Sequence, residues 1–217
     1  MPVGPRTEPP RRALSRKPAS RYHHGDLRRA LLTEAVRTIG AHGVEALTLR
    51  EAGRRLGVSR TALYRHFSDK GALLAAVARD GFQRFRADLS AEWDLVGHNW
   101  EGLAAMGRAY VRFAIGNPSH YRVMFGQFSD LCAKDPGLQA DARAAFHVLL
   151  DALATLQHAG VVRAGDLTVT GEFVWATVHG VAMLAIDGQL GPDTTASAAL
   201  ADFAVERLRD ALALQYS

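Results

Sequence analysis

Apolar side chains recur at spacings of three and four from Leu27 onward: Leu27, Ala30, Leu31, Ala35 and Ile39 share one face of a helix that Gly40 and Gly43 bring to an end. Thr48-Leu49-Arg50-Glu51 then has the form of a capping box, in which the Thr hydroxyl accepts from the third helical amide and the Glu carboxylate reaches back to the Thr amide. The helix it opens is short, because Gly57 follows within three turns and Ser59 is placed to cap a further start. A third helix over residues 60–67 ends at Ser68-Asp69, where Ser68 is expected to begin a fourth with Leu73, Leu74, Val77, Phe82 and Phe85 as buried positions. Helical segments follow over 100–116, 118–127, 136–158, 168–190 and 194–214, broken by Gly, Pro, Asn and Asp. Strand periodicity and internal repeats are absent from this pattern, so an all-α chain of about nine helices is expected.

The short second and third helices make one unit. Ala52 and Leu56 lie a turn apart on one, Leu63 and Phe67 a turn apart on the other, and Val58 sits between them. Gly53 leaves room for the helices to cross closely, and Gly57 suits the left-handed backbone that reverses the chain. This is the pattern of a helix-turn-helix. With Leu63 and Phe67 turned inward, the opposite face carries Arg60, Thr61, Tyr64 and Arg65. An Arg there can pair bidentately with guanine O6 and N7, the Thr61 methyl can meet a thymine methyl, and Tyr64 can donate to a phosphate. Lys70, just beyond, suits a phosphate as a point charge. A solvated basic helix would show the same residues, so the face gains its meaning from the unit that holds it.

Charge strengthens that reading. The 217 residues carry a net charge of only +4, but residues 1–70 hold fifteen Lys+Arg against six Asp+Glu, leaving eleven against sixteen in the remainder. One end is therefore suited to a polyanion and the other is not. Residues 1–21, rich in Pro and Arg and nearly devoid of apolar side chains, are expected to be a disordered basic arm, either a solvated tail or an added DNA contact. No apolar run reaches the roughly 18 consecutive residues of a membrane span, and no secretory signal pattern opens the chain. The single Cys132 forms no internal disulfide, which fits a cytoplasmic location. An enzyme is not expected: nucleophile elbow, phosphate loop and zinc-spaced Cys/His patterns are missing, and with them any sign of a cofactor or metal.

Residues 22–90, and above all "TLREAGRRLGVSRTALYRHFSDK", resemble the DNA-binding domain of the TetR family of transcriptional regulators. The resemblance implies base contacts at Arg50, Arg60, Thr61, Ala62, Tyr64 and Arg65, and phosphate contacts at Thr48, Tyr64, His66 and Lys70. Gly53 and Gly71 depart from the family's habit, away from the implied DNA face. "FVWATVHGVAMLAIDGQL" and "PSHYRVMF" are similar to a branch whose C-terminal domain carries a Trp-x-x-x-His-Gly motif, here Trp175, His179 and Gly180.

The family implies a DNA-binding unit over 22–70 and a ligand-binding and dimerisation unit over 71–217. Phe113, Tyr121, Phe125, His147, Trp175, His179 and Met183 are the candidate lining of a pocket for an unidentified, largely apolar small molecule, with His147 and His179 as polar anchors. The same Trp and His at helical spacing would also serve as ordinary core. Gly180 is expected to admit a neighbouring helix. Ala176, Leu184 and Leu190 on the penultimate helix, with Ala199, Phe203, Val205, Leu208 and Leu212 on the last, offer apolar stripes for a homodimer. Two copies would read a palindromic double-stranded operator, with ligand relieving repression. The alternative is a DNA-binding protein that is ligand-independent or controlled by a partner.

Overall fold

The computed structural model describes residues 24–126, 135–191 and 194–213. The basic arm over 1–21 and Cys132 lie outside them. Among the described residues there are nine helices, α1 (His24–His42), α2 (Leu49–Arg55), α3 (Arg60–Tyr64), α4 (Lys70–Val96), α5 (Trp100–Gly116), α6 (Pro118–Phe125), α7 (Pro136–His158), α8 (Leu167–Ile186) and α9 (Thr194–Leu212). The only strand-like pairing among them is a single antiparallel bridge between Val162 and Ala213.

The starts of the helices follow local chemistry. Thr48 Oγ1 accepts from the Glu51 amide at 3.2 Å and Ser59 Oγ from the Ala62 amide at 3.2 Å. The other half of the expected capping box is not made, because the Glu51 carboxylate is held by Arg54 and Arg55, at 2.7 and 2.9 Å. Nor does Ser68 start α4. Asp69 does, its Oδ1 accepting from the Ala72 amide at 2.8 Å while Ser68 donates to Oδ2 at 3.0 Å; a carboxylate is the better acceptor facing the positive end of a helix. The ends are shorter than periodicity implied: α6 stops at Phe125 and α8 at Ile186, where Asp187 caps the helix and Gly188 takes φ 71°.

The main hydrophobic core runs from Leu27 in α1 to Leu208 in α9, and Val111, Val181, Ala201 and Ala204 form a smaller one where α5, α8 and α9 meet. Its spine is α4. Leu73, Leu74 and Val77 in its first turns are fully buried, and Phe82, Phe85 and Leu89 extend that burial into the larger bundle. Helices α5, α6 and α7 pack on α4, and α8 and α9 pack on α5 and on each other. The division expected between residues 70 and 71 thus falls in the first turn of a helix that carries core for both ends of the molecule. By length and composition α8 would suffice to cross a membrane, yet it is docked here against α5, α7 and α9.

Candidate nucleic-acid interface and ligand cavity

At the basic end, Leu63 and Phe67 are 2% and 3% exposed and join Ala52 in the core. A Cβ built on Gly53 would lie 3.2 Å from Leu63 Cδ2 and 3.6 Å from Val58 Cγ2, which is the close helix crossing expected of that glycine. Gly57 turns the chain with φ 66°. Burial of Leu63 and Phe67 fixes which side of α3 faces out. Arg60, Thr61, Tyr64 and Arg65 are all exposed, and so are Thr48 and Arg50 on the preceding helix start; Ala62, His66 and Lys70 are half-buried at the edge. The Arg60 guanidinium lies over the Tyr64 ring, 5.6 Å from its centre, so the cation is held against an aromatic face that is itself 43% exposed. Lys70 has a structural partner as well: Nζ donates to the Glu45 carbonyl at 3.2 Å, tying the start of α4 to the loop before α2.

Carboxylates behind this face are held ionised. Glu34 accepts two bonds from Arg37, at 2.7 and 2.8 Å, and one from Arg55 at 3.3 Å; the Arg37 bonds chiefly keep its carboxyl below the ordinary 4.5. Arg54 first and then Arg55 bring Glu51 down to about 2. The backbone amide of Ala72 and the Ser68 hydroxyl lower Asp69.

The bundle holds a partly open cavity of about 290 Å³. Its wall draws on six helices: Phe82 and Phe85 from α4, Trp100, Met106 and Tyr110 from α5, Phe125 from α6, Phe146 from α7, Trp175 and Val178 from α8, and Val205 and Leu208 from α9, among others. Of the seven expected lining residues, Phe125 and Trp175 are in the wall. Phe113 is buried behind it, its ring 5.1 Å from that of Phe85. His147 is on the outer side of α7 and exposed, so it anchors nothing in the cavity. Met183 is half-buried against the core and is not in the wall. Tyr121 and His179 stand behind the wall in a polar cluster: Tyr121 Oη is 2.6 Å from His179 Nδ1, the Tyr121 hydroxyl donates to Tyr110 Oη at 2.9 Å, and Trp175 Nε1 donates to the same Tyr110 oxygen at 3.0 Å. Burial raises both tyrosine hydroxyls far above their ordinary range and lowers His179.

Tyr110 is a residue of the wall that is not among the expected lining residues. It stood in the sequence as one aromatic among several, and only the fold makes it the single hydroxyl among the wall's described residues. Val205 and Leu208 also change role, from dimer stripe to cavity wall, each being 5% exposed within the chain. No described atom lies within 4 Å of a Cβ built on Gly180, so none of the described helices uses the room it leaves.

Comparison with known proteins agrees with this architecture. Residues 31–77 match the family described as bacterial regulatory proteins, tetR family, and residues 103–208 match the tetracyclin repressor-like C-terminal domain. The HTH-type transcriptional repressor Rv1474c of Mycobacterium tuberculosis is 37% identical over 86 residues, covering 40% of this chain and 46% of that one. The HTH-type transcriptional repressor AcnR of Corynebacterium diphtheriae is 41% identical over 69 residues, covering 32% and 36%. The matches thus span less than half the length of these curated relatives. A solved structure of a protein of unknown function from Rhodococcus sp. RHA1 superposes with a TM-score of 0.80 at 31% identity, over 90% of this chain and 100% of its own. With the helix-turn-helix and the bundle each matched in its own segment, the chain belongs to the TetR family.

Proposed function

We propose that this protein is a sequence-specific DNA-binding transcriptional regulator of the cytoplasm, a dimer that represses from a palindromic operator until a small apolar ligand enters its bundle. The observation that carries the reading is the outer face of α3, where Arg60, Thr61, Tyr64 and Arg65 stand exposed on a helix pinned from behind by Leu63 and Phe67. The bonding groups are those that read base edges in a major groove, and one short helix reads few bases, which favours two copies. In this reading residues 22–70 bind DNA, with Arg50 and Ala62 beside the bases and Thr48, His66 and Lys70 on phosphates, while residues 71–217 sense and dimerise.

Exposed apolar side chains support the pairing. Val169, Phe173 and Leu184 on α8 are 62%, 49% and 38% exposed, and Phe203 on α9 is 58% exposed. Ala176 and Gly180 continue the α8 stripe, and Ala199 the α9 stripe, so a partner's helices could pack there as a four-helix interface. The names of the two curated relatives support repression as the sign. For release, α4 offers the connection: Phe82 and Phe85 line the cavity while Leu73, Leu74 and Val77 lie beneath α1. Ligand that displaces the first group tilts the second, and with it the spacing between the dimer's two α3 helices.

Selecting bound duplexes from a random pool at one fixed salt concentration tests the reading. The expected product is a palindrome whose half-sites lie about 34–36 Å apart, one helical turn. Enrichment of no sequence, or of a single half-site bound by a monomer, would refute it.

A further inference from the structure

We propose that Glu34 on α1, acting through Arg55 at the end of α2, is a positioning residue for DNA reading: the pair sets how α2 and α3 sit on α1, and so the angle at which α3 meets a groove. The inference rests on the DNA-binding reading above and adds to it two residues that act without touching a base or a phosphate.

Glu34 is 9% exposed at the cation-rich end of the chain, and a carboxylate so placed is costly unless its oxygens are filled. Four donors fill them. Arg37 supplies Nε at 2.8 Å and Nη2 at 2.7 Å, and the Thr38 hydroxyl donates at 3.3 Å, all from α1 itself. The fourth, Arg55 Nη1 at 3.3 Å, comes from α2. Among the described residues this is the one ion pair that joins α1 to α2. Arg55 is held from its other side as well, its Nε donating to Glu51 at 2.9 Å, and Glu51 accepts two further bonds from Arg54. A continuous chain of charge-assisted bonds thus runs from buried Glu34 out to exposed Arg54.

The length of the reading helices makes that link consequential. With five residues, α3 is too short to keep a direction of its own and takes it from α2, through Leu63 packed on Gly53. Helix α2 has only seven residues. The apolar contacts beneath it are non-directional, whereas a charge-assisted bond has a direction. Lys70 Nζ on the Glu45 carbonyl ties the loop before α2 to α4, and Arg55 on Glu34 ties the end of α2 to α1. Loosening the second tie lets Arg60, Thr61, Tyr64 and Arg65 swing as a set.

The competing account makes Arg55 a phosphate contact and Glu34 a bystander. Arg55 is poorly placed for that: its side chain is 31% exposed, and its Nε and Nη1 are both on carboxylates. The two accounts differ in sign. Removing a negative charge near a polyanion should tighten binding to every duplex. Removing a positioning carboxylate should weaken binding to the correct duplex alone.

The test titrates the full chain by fluorescence anisotropy, over a series of salt concentrations, with the duplex enriched in the selection above and with a random duplex of equal length. Glu34→Gln is expected to bind the selected duplex about tenfold more weakly and the random one as tightly as before or more so. Arg55→Gln is expected to show the same loss with an unchanged slope of log affinity against log salt, where loss of a phosphate contact would reduce it by about one for each copy. Combining the two should cost no more than either alone, because both act through one bond. Partial unfolding weakens both duplexes by the same factor, so the ratio between them separates positioning from stability. Should Glu34→Gln not fold, Arg55→Gln decides by its ratio and its slope. Tighter or unchanged binding of the selected duplex by Glu34→Gln, equal weakening of both duplexes, or a reduced slope in Arg55→Gln overturns the inference and leaves the DNA-binding reading standing. Enrichment of no duplex by the unmodified chain overturns both.

Discussion

The DNA-facing unit and the cavity are built on opposite plans. Between Thr48 and Lys70, a few buried side chains hold a row of exposed polar ones that are neighbours in sequence. In the bundle, six helices from α4 to α9 contribute apolar side chains, from Phe125 alone on α6 to several on α5, to an interior whose one hydroxyl among the described residues is Tyr110. One surface works by what it presents, the other by what it excludes. Substitutions that empty the interior should therefore damage the first most, and substitutions that fill it should act only on the second.

The largest effect is expected from Leu63→Ala. Leu63 is 2% exposed and is the contact against which Gly53 packs, and truncating such a leucine costs about 2–5 kcal/mol. The small α2–α3 core has few other side chains to close the gap. Helix-resolved hydrogen exchange should show α2 and α3 unprotected with the bundle still protected, and operator retention should be lost. Equal loss of protection in both regions would show that α4 couples them too tightly for the contrast to hold.

Arg60→Ala comes next. If Arg60 pairs bidentately with a base, affinity should fall about tenfold or more, and preference should relax at one position of the half-site. Lys70→Ala should weaken all sequences about equally and reduce the slope of log affinity against log salt by about one for each copy. The 3.2 Å bond to the Glu45 carbonyl adds a second consequence, a loosened loop before α2, readable as faster amide exchange over residues 43–47 in the DNA-free protein.

Ala142→Leu is the complementary change. Ala142 is half-buried in the cavity wall, and added methyl groups there meet empty space rather than packed neighbours. Stability should move by less than about 1.5 kcal/mol in thermal unfolding. Operator affinity should stay as it was, and calorimetric binding of a small apolar probe such as acetylnaphthalene should disappear. A variant that loses the operator without any ligand would mean that filling the cavity is itself the signal.

The contrast in plan also explains what could be read from the chain alone. Helix count and order follow from three-and-four spacing, Gly and Pro breaks and the hydroxyls that cap, all local quantities, and so does the outward face of α3. Caps failed only where two local options competed, as at Glu51, where nearby Arg54 and Arg55 outbid a backbone amide. The cavity has no local signature. Phe113 and Phe125 are both buried-type aromatics, and only the direction in which α5 and α6 cross α4 decides that one lines the void and the other backs it. Val205 and Leu208 looked like partner-facing positions because a stripe on a helix does not say which neighbour covers it. Of that stripe Phe203 does remain open on α9, as does Phe173 on α8.

Acidification offers the finest separation of the two regions. His120 on α6 is 5% exposed, with Nε2 3.1 Å from Asp80 Oδ2; burial lowers it despite that carboxylate, and Arg84, 2.9 Å from the same oxygen, adds to the lowering. His179 on α8 is lowered by burial. A histidine whose folded pKa lies below the ordinary 6.5 takes up its proton more readily when unfolded. The stability it confers is complete above 6.5 and is lost as pH falls from there toward the folded value. The depressed carboxylates sit at the other end: Glu34 on α1, Glu51 on α2 and Asp69 before α4. Their contribution is complete above the ordinary 4.5 and 3.8, and is lost only as pH falls below those values. Hydrogen exchange at about pH 8, 5.5 and 4, corrected for intrinsic rates, should therefore show α6 and α8 losing protection between the first two and α1 and α2 between the last two. The second step should shrink in salt, because the Glu51 pairs are exposed. His120→Gln should blunt the first step and leave the second unchanged. Loss of protection in both regions at the same pH would place the titrating groups in α4, the helix they share.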